Sequence, residues 1–292
     1  MPRQWNAEKC YMAIREWLPP NQEFQYLTPK AELERIKDLR NDIFKIDTDL
    51  RMIAYWYGKH GVSEVSEGNV NDGLDHMTFA VFCEMIATVI DANLRKQMVK
   101  KAPCQFFKMD GLCLARAVAI GCTREAVVMG ENMGIAGLEG IYFDLTKITI
   151  SRFVMRLHAA SLGIPDPFAE IPSKDLPAYR TILDHWRDVD PHPHLIPAIM
   201  EACDYHVAES HVSNRVPYEI EWDAFQLHPV EILMVLRLRE QNGLPPLQID
   251  HKLMHLPTAR LLPVSPVHEY PAYLVRLVNR LKSETPDLAY GL

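Results

Sequence analysis

The sequence predicts an all-α protein, built as a packed array of antiparallel helix pairs with at most a short extended segment. Apolar residues recur at three- and four-residue steps over most of the chain, which is the period of a helix face. Glycine and alanine are frequent in residues 109–163, and small residues allow helices to approach closely. The hydrophobic share of 48% over 292 residues can fill a sizeable core. We therefore expect eight or more helices packed in pairs.

Two long helices show this pattern most regularly. The first covers residues 29–59, with Thr28 as its N-cap and Pro29 at the first helical position. The second covers residues 77–98 and is limited by Pro103. Residues 60–73 contain glycines and several carboxylates, which indicates a polar acidic loop between the two helices.

The second half of the chain is divided by prolines. A Pro-rich connection at residues 164–177 separates an N-terminal helical region, 1–163, from a C-terminal helical region, 178–292, although one continuous domain stays open. Further helices are expected at residues 176–188, 195–211, 229–242 and 269–283. Residues 216–222 alternate with a period of two, which predicts a short strand or extended arm. In it, Glu219, Glu221 and Asp223 would face one side.

Negative charge is concentrated in one segment. Residues 184–231 contain ten carboxylates and two arginines, a formal charge of −8 in a chain whose net charge is −7. Such an asymmetry indicates a basic partner. Phosphate contacts require clustered cations, which are confined to residues 95–108, so a nucleic-acid partner is not expected.

The sequence also predicts the location of the protein. Its longest apolar run, residues 79–90, is interrupted by Glu84 and is shorter than the ~20 residues that cross a bilayer. No apolar signal-peptide core follows Met1. We therefore expect a cytoplasmic protein with no membrane partner. The six cysteines lie mostly in apolar runs and are expected to be free, buried thiols.

One short stretch has metal-ligand residue types, for which zinc or iron would be the first choices: His185, Asp188, Asp190, His192 and His194. Prolines within and after it make it a turn-forming loop, and the zincin pattern His-Glu-x-x-His is absent. Nucleophile-elbow and phosphate-loop motifs are absent too. The sequence therefore predicts no catalytic site, no metal and no cofactor. A metal-dependent helical enzyme using residues 184–211 and a helical peptide-binding scaffold stay open as alternatives.

Four stretches near the carboxyl terminus form a pattern of helix, Gly-Leu-Pro turn and His-containing loop: Trp222-Asp-Ala-Phe225, His228-Pro-Val-Glu-Ile-Leu-Met-Val-Leu-Arg-Leu-Arg239, Asn242-Gly-Leu-Pro245 and Asp250-His-Lys-Leu-Met-His-Leu-Pro257. This pattern resembles the carboxy-terminal signature of bacterial immunity proteins. The resemblance implies a cytoplasmic, non-enzymatic antidote to a polymorphic or type VI-secreted antibacterial toxin. Many such toxins have basic clefts, so it also implies a basic cognate toxin whose cleft is occluded.

The acidic segment supplies the residues expected to contact such a toxin. Two aromatic residues, Tyr218 and Trp222, are candidate apolar anchors, although Trp222 in the core is the favoured alternative. The carboxylates would set the association rate. The complete candidate set is Asp188, Asp190, Glu201, Asp204, Glu209, Tyr218, Glu219, Glu221, Trp222 and Asp223.

Overall fold

The computed structural model describes residues 5–18, 23–37, 39–97, 107–138, 148–171, 175–191, 193–211, 218–265 and 269–284. Within these ranges the chain forms twelve α-helices and a short 3-10 helix, Pro257–Ala259, without any strand. The helices are α1 (Ala7–Trp17), α2 (Glu23–Arg35), α3 (Leu39–Glu67), α4 (Val70–Gln97), α5 (Phe107–Ala119), α6 (Thr123–Leu138), α7 (Ile150–Leu162), α8 (Pro177–His185), α9 (Leu195–Glu209), α10 (Asp223–Gln226), α11 (Val230–Gln241) and α12 (Ala272–Glu284). The predicted all-α helical array is confirmed.

The long helices α3 and α4 form an antiparallel hairpin at the centre of the array. Its turn is short, because Gly68 takes a positive φ of 93° that other residues rarely adopt. Gly61 and Gly73 face each other across the hairpin, and a Cβ atom on either would lie 2.8 Å from the other residue's carbonyl oxygen. The predicted acidic loop at residues 60–73 is therefore wrong. Gly61 and Gly73 serve close helix contact inside the helices, and Gly68 forms the turn between them.

The first predicted helix also has different bounds. The helix α2 ends at Arg35 and Ile36 and Lys37 lie outside both α2 and α3, so residues 29–59 do not form one helix. Pro29 lies inside α2, well after its first turn, and Thr28 is not its N-cap. The apolar stripe continues across the break because both helices bury residues of the same core, such as Leu33 and Ile46.

Small residues also bring α5, α6 and α7 together, as the sequence predicted. A Cβ atom on Gly111 would lie 2.3 Å from the Cβ of Ser151, and one on Gly130 would lie 2.4 Å from the His158 ring. These contacts join α5 to α7 and α6 to α7. On the other side, α5 packs against α11, so that residues from both predicted regions share one hydrophobic core. The division at residues 164–177 stays a prediction.

The helices expected in the second half are present as α8, α9, α11 and α12, with ends displaced by a few residues. The predicted strand is wrong for residues 218–222, which form an irregular connection into α10. Residues 216 and 217 lie outside the described part of the chain. The prediction of free, buried thiols is confirmed for Cys83, Cys113, Cys122 and Cys203, whereas Cys10 is free but only half-buried and Cys104 lies outside the described residues.

One described helix meets the length and composition criteria for crossing a membrane, which the expectation from the sequence missed. The stretch Val70–Asn93 of α4 contains a window with a mean hydropathy of 1.4. In the fold, 83% of that window is buried inside the protein. The central helix of a helical array requires the same composition, since other helices surround it.

A buried cluster of charged side chains joins α3, α4 and α5. The guanidinium of Arg51 lies 2.9 Å from Asp47 Oδ1, 3.4 Å from Glu84 Oε2 and 2.5 Å from Asp110 Oδ1. All four side chains are at most 6% exposed. Burial raises the pKa of both Asp47 and Glu84 to about 7, although Arg51 counteracts the shift. Burial also raises the pKa of Asp110. The cluster therefore retains protons that exposed carboxyl groups would release.

The retained protons predict a pH-dependent stability. Between about pH 5 and about pH 7 the folded protein holds protons on Asp47 and Glu84 that the unfolded chain has released. These two carboxyl groups therefore contribute a free energy of unfolding that falls as pH rises, by up to about 1.4 kcal/mol per pH unit for each such proton. His158 and His228, whose pKa burial lowers to about 4, contribute the opposite slope below about pH 6.5. The substitution Glu84→Gln removes one falling contribution and should shift the slope of the free energy of unfolding against pH towards more positive values. Urea unfolding across this pH range measures it.

The matched control is Glu131→Gln, at an exposed glutamate of α6. This variant should follow the parent protein at every pH. Equal slopes for Glu84→Gln and the parent would contradict a proton on Glu84 in the folded state.

Candidate functional site

The helix α9 is amphipathic, and its outward side is acidic. The inward residues recur at three- and four-residue steps and pack towards α8 and α11: Leu195, Ala198, Ile199, Ala202, Cys203 and His206. The outward side exposes Met200, Glu201 and Asp204. The sequence of α9 contains three carboxylates and neither lysine nor arginine. Its outward charge is therefore not neutralised from within the helix.

The loop between α8 and α9 contains two more carboxylates, close to the amino-terminal end of α9. Asp190 is exposed, and Asp188 is half-buried with its Oδ2 at 2.7 Å from Nδ1 of His185. The ring of His185 also stacks on His194, with centroids 4.7 Å apart. We define the acidic face as Asp188, Asp190, Glu201 and Asp204. Val189, 69% exposed, lies between the two loop carboxylates.

Arg239 of α11 holds this loop in place from the protein side. Its Nη1 atom donates to the carbonyl oxygens of Trp186, at 2.7 Å, and Asp188, at 2.9 Å. Farther along α9, Asp204 Oδ1 lies 3.1 Å from Nε2 of His251. The acidic face is therefore presented by backbone that is fixed before any partner binds.

Glu219 has a different position from the one the sequence predicted. It is 6% exposed, and its carboxylate accepts hydrogen bonds from the backbone N–H of Thr149 and of Ile150, at 2.7–2.9 Å. Tyr205 donates a third bond from its hydroxyl, at 2.9 Å. Glu219 thus caps the amino terminus of α7, where Thr149 makes no side-chain cap of its own. The expectation that it shares an exposed side with Glu221 and Asp223 is wrong, because this cap requires it inside.

Asp223 also serves an internal contact. Its Oδ2 atom lies 2.8 Å from Nζ of Lys59, whose side chain is fully buried. That ammonium group lies 3.6 Å from the Trp17 ring centroid and 4.4 Å from that of Tyr55. Burial lowers the pKa of Lys59, and the ion pair with Asp223 opposes this shift. Asp223 therefore fastens α10 to α3.

The remaining candidates are half-buried and bonded close to Glu219. Glu209 accepts from the backbone N–H of Glu219, at 2.9 Å, and Glu221 accepts from that of Tyr218, at 3.0 Å. Tyr218 accepts a bond from Lys108 Nζ at its carbonyl oxygen. Trp222 packs against the hydrophobic core. The candidate set thus divides into the acidic face and a group that connects helices.

The histidines do not assemble into a metal-ligand set within the described part of the chain. His185 and Asp188 form one pair, while His206 is fully buried and its Nδ1 lies 2.7 Å from Glu231 Oε1. No group of three or more histidine, cysteine, aspartate or glutamate side chains there could hold a metal ion. His192 lies outside the described residues.

Sequence reasoning missed the buried charges at Arg51, Glu231 and Arg239. A usable signal was present, since Glu84 interrupts the longest apolar run and Glu231 and Arg239 lie in another apolar helix. A charge in such a run requires a buried partner. Asp47 is only four residues from Arg51, but the other two partners, Glu84 and Asp110, are 33 and 59 residues away and cannot be found locally.

No family model, no curated protein and no solved structure matches this chain. Function must therefore be inferred from the site itself.

The capping role of Glu219 predicts a stability effect. The substitution Glu219→Ala leaves the backbone N–H groups of Thr149 and Ile150, at the start of α7, without their acceptor, which should lower the free energy of unfolding by about 1–3 kcal/mol. Glu221→Ala is the matched control, since it removes one bond at a half-buried position and should cost less. Chemical denaturation of both variants measures the difference. An equal, small effect would show that α7 does not depend on this cap.

Proposed function

We propose that this protein is an immunity protein that binds a cognate antibacterial toxin through the acidic face and occludes a basic cleft on it. The observation that carries the proposal is the outward side of α9, whose carboxylates meet no lysine or arginine of that helix. A surface of one sign speeds association with a partner of the opposite sign. The resemblance of residues 222–257 to immunity proteins supports the class.

Two further properties favour protein binding at this surface. Val189 and Met200, 69% and 37% exposed, supply apolar contact beside the carboxylates, and desolvated apolar contacts commonly provide most of the binding energy. The bonds from Arg239 fix the loop before binding, which reduces the entropy lost on association. Binding would need no chemistry from this chain, in line with a non-enzymatic antidote acting in the cytoplasm.

The decisive experiment first tests whether a toxin-like protein is encoded next to this chain's gene, and then expresses its toxin domain with and without this protein. Bacteria that express the toxin domain alone should stop growing, and co-expression of this protein should restore growth through a stable complex. Failure to form a complex, with growth still arrested, would contradict the proposal. Stoichiometric zinc or iron retained after dialysis would favour the metal-dependent enzyme instead.

Charge reversal on α9 tests the contact surface. The double substitution Glu201→Lys with Asp204→Lys should slow association with the toxin about tenfold at low salt and flatten its salt dependence. Because both residues are exposed, the free energy of unfolding should change by no more than about 1 kcal/mol. Stopped-flow or surface-based kinetics at several salt concentrations measure the effect.

The control is Glu131→Lys with Glu170→Lys, which makes the same charge change at exposed positions outside α9. It should retain most of the association rate. Equal slowing in the two double variants would assign the effect to net charge instead of the acidic face.

A further inference from the structure

A cavity far from the acidic face lies between α4, the start of α6 and the start of α12. Its volume is about 670 Å³, which is within the range of small-ligand sites. Its described apolar and aromatic lining residues include Phe82, Val264, Tyr270 and Val275. Its described charged lining residues are Arg124, Glu125 and Glu269. Two carboxylates against one guanidinium make the described wall negative overall, so the cavity favours a cation over an anion.

Glu125 presents one unused carboxylate oxygen to this cavity. The residue is 8% exposed, and its Oε1 atom accepts a hydrogen bond from the Tyr270 hydroxyl, at 2.9 Å. Its Oε2 atom has no hydrogen-bond partner in the described part of the chain, and it is not completely enclosed by protein either. Since Glu125 lines the cavity, its remaining accessible surface is open to a ligand there. The first turn of α6, in which Glu125 lies, favours the ionised carboxylate through the helix dipole.

The charge of Glu125 is not balanced by an ion pair with a described residue. Its described hydrogen-bond partner is the neutral hydroxyl of Tyr270. The neighbouring Arg124 is exposed, and its guanidinium lies 5.8 Å from the ring centroid of Tyr270. Glu269 is exposed and adds a second negative charge to the wall. Burial of a carboxylate without a counter-ion is costly. The helix dipole offsets part of this cost, and a bound cation would offset more.

Aromatic rings stand beside this carboxylate. The rings of Phe82 and Tyr270 have centroids 4.4 Å apart and are inclined at 60°. The bond between the Tyr270 hydroxyl and Glu125 holds this pair of rings next to the carboxylate. An ammonium group is attracted to the face of an aromatic ring within about 6 Å of its centroid. The same group has three donors, which match an open carboxylate oxygen. The wall therefore combines the two kinds of contact that recognise an organic ammonium ion.

We propose that this cavity binds a small primary amine with an apolar body. The protonated amine donates to Oε2 of Glu125 beside the ring of Tyr270, and the apolar body packs on Phe82 and Val275. The ligand supplies the counter-ion and the donor that Glu125 lacks, and Glu269 strengthens the preference for a cation. This site goes beyond toxin binding and does not depend on it.

A suitable probe is 2-phenylethylamine, which is protonated at neutral pH, with 2-phenylethanol and 3-phenylpropanoate as uncharged and anionic analogues of similar size. Titration calorimetry and thermal unfolding should show one amine bound per chain, at least about tenfold more tightly than 2-phenylethanol, with no stabilisation by the anion. Absence of amine binding, or equal binding of the amine and the alcohol, would overturn the proposal. Binding of N-acetyl-lysine methylamide without binding of 2-phenylethylamine would overturn it as well and assign the cavity to a lysine side chain of a partner protein.

Two variants and a matched control locate the binding. Glu125→Gln keeps an acceptor for the Tyr270 hydroxyl but removes the negative charge, so it should abolish the preference for the amine over the alcohol. The control Glu131→Gln, at an exposed glutamate of the same helix, should preserve that preference. Val275→Trp fills the cavity from its exposed wall and should abolish amine binding with Glu125 intact, which keeps the test valid if Glu125→Gln fails to fold.

A preference for the amine that persists in folded Glu125→Gln, or unchanged amine binding in folded Val275→Trp, would overturn the proposal. None of these outcomes requires the toxin, so the two proposals fail independently.

Discussion

The buried guanidinium of Arg51 is the constraint on which the rest of the helical array depends. It contacts carboxylates on α3, α4 and α5, and α5 in turn packs against α6, α7 and α11. Apolar helix faces alone tolerate a shift of one turn, because leucine, isoleucine and methionine can repack. A shift here would leave Arg51 without carboxylates, at a cost of several kcal/mol. The charged cluster therefore fixes the register of the central helices, while the apolar surface supplies most of the stability.

A second buried guanidinium, that of Arg239, also holds separate elements together, at the edge of the array. Arg239 reaches from α11 to the carbonyl oxygens of Trp186 and Asp188, and this fixes the loop that carries half of the acidic face. Neutral carbonyl groups orient the guanidinium but do not balance its charge. Three carboxylates surround Arg51, whereas the hydrogen bonds of Arg239 go to backbone carbonyl oxygens and Asp188 acts on its charge from beyond ion-pair distance.

Periodicity in the sequence was enough to predict the helical class and the approximate positions of α8, α9, α11 and α12. It failed at residues 60–73, since local rules treat glycine as a breaker and cannot see that Gly61 and Gly73 face each other across a hairpin. It failed again at Glu219, whose alternation with apolar neighbours resembles a strand. The cause is a helix terminus 69 and 70 residues away, at Ile150 and Thr149. Local patterns predict elements well because helix formation is local, but they do not predict long-range polar partners.

Long-range polar contacts also change the interpretation of the concentrated negative charge in residues 184–231. Several carboxylates of residues 184–231 hold the fold together: Glu231 binds a buried histidine, Glu219 caps α7 and Asp223 pairs with Lys59. Their charge is compensated or screened inside the protein and contributes little to a field that a partner would meet. Glu201 and Asp204 are three residues apart and therefore lie on the same side of α9. Electrostatic steering depends on the local potential and not on the total charge. A few carboxylates on one side of the protein therefore orient an approaching basic surface better than a larger number spread over all sides.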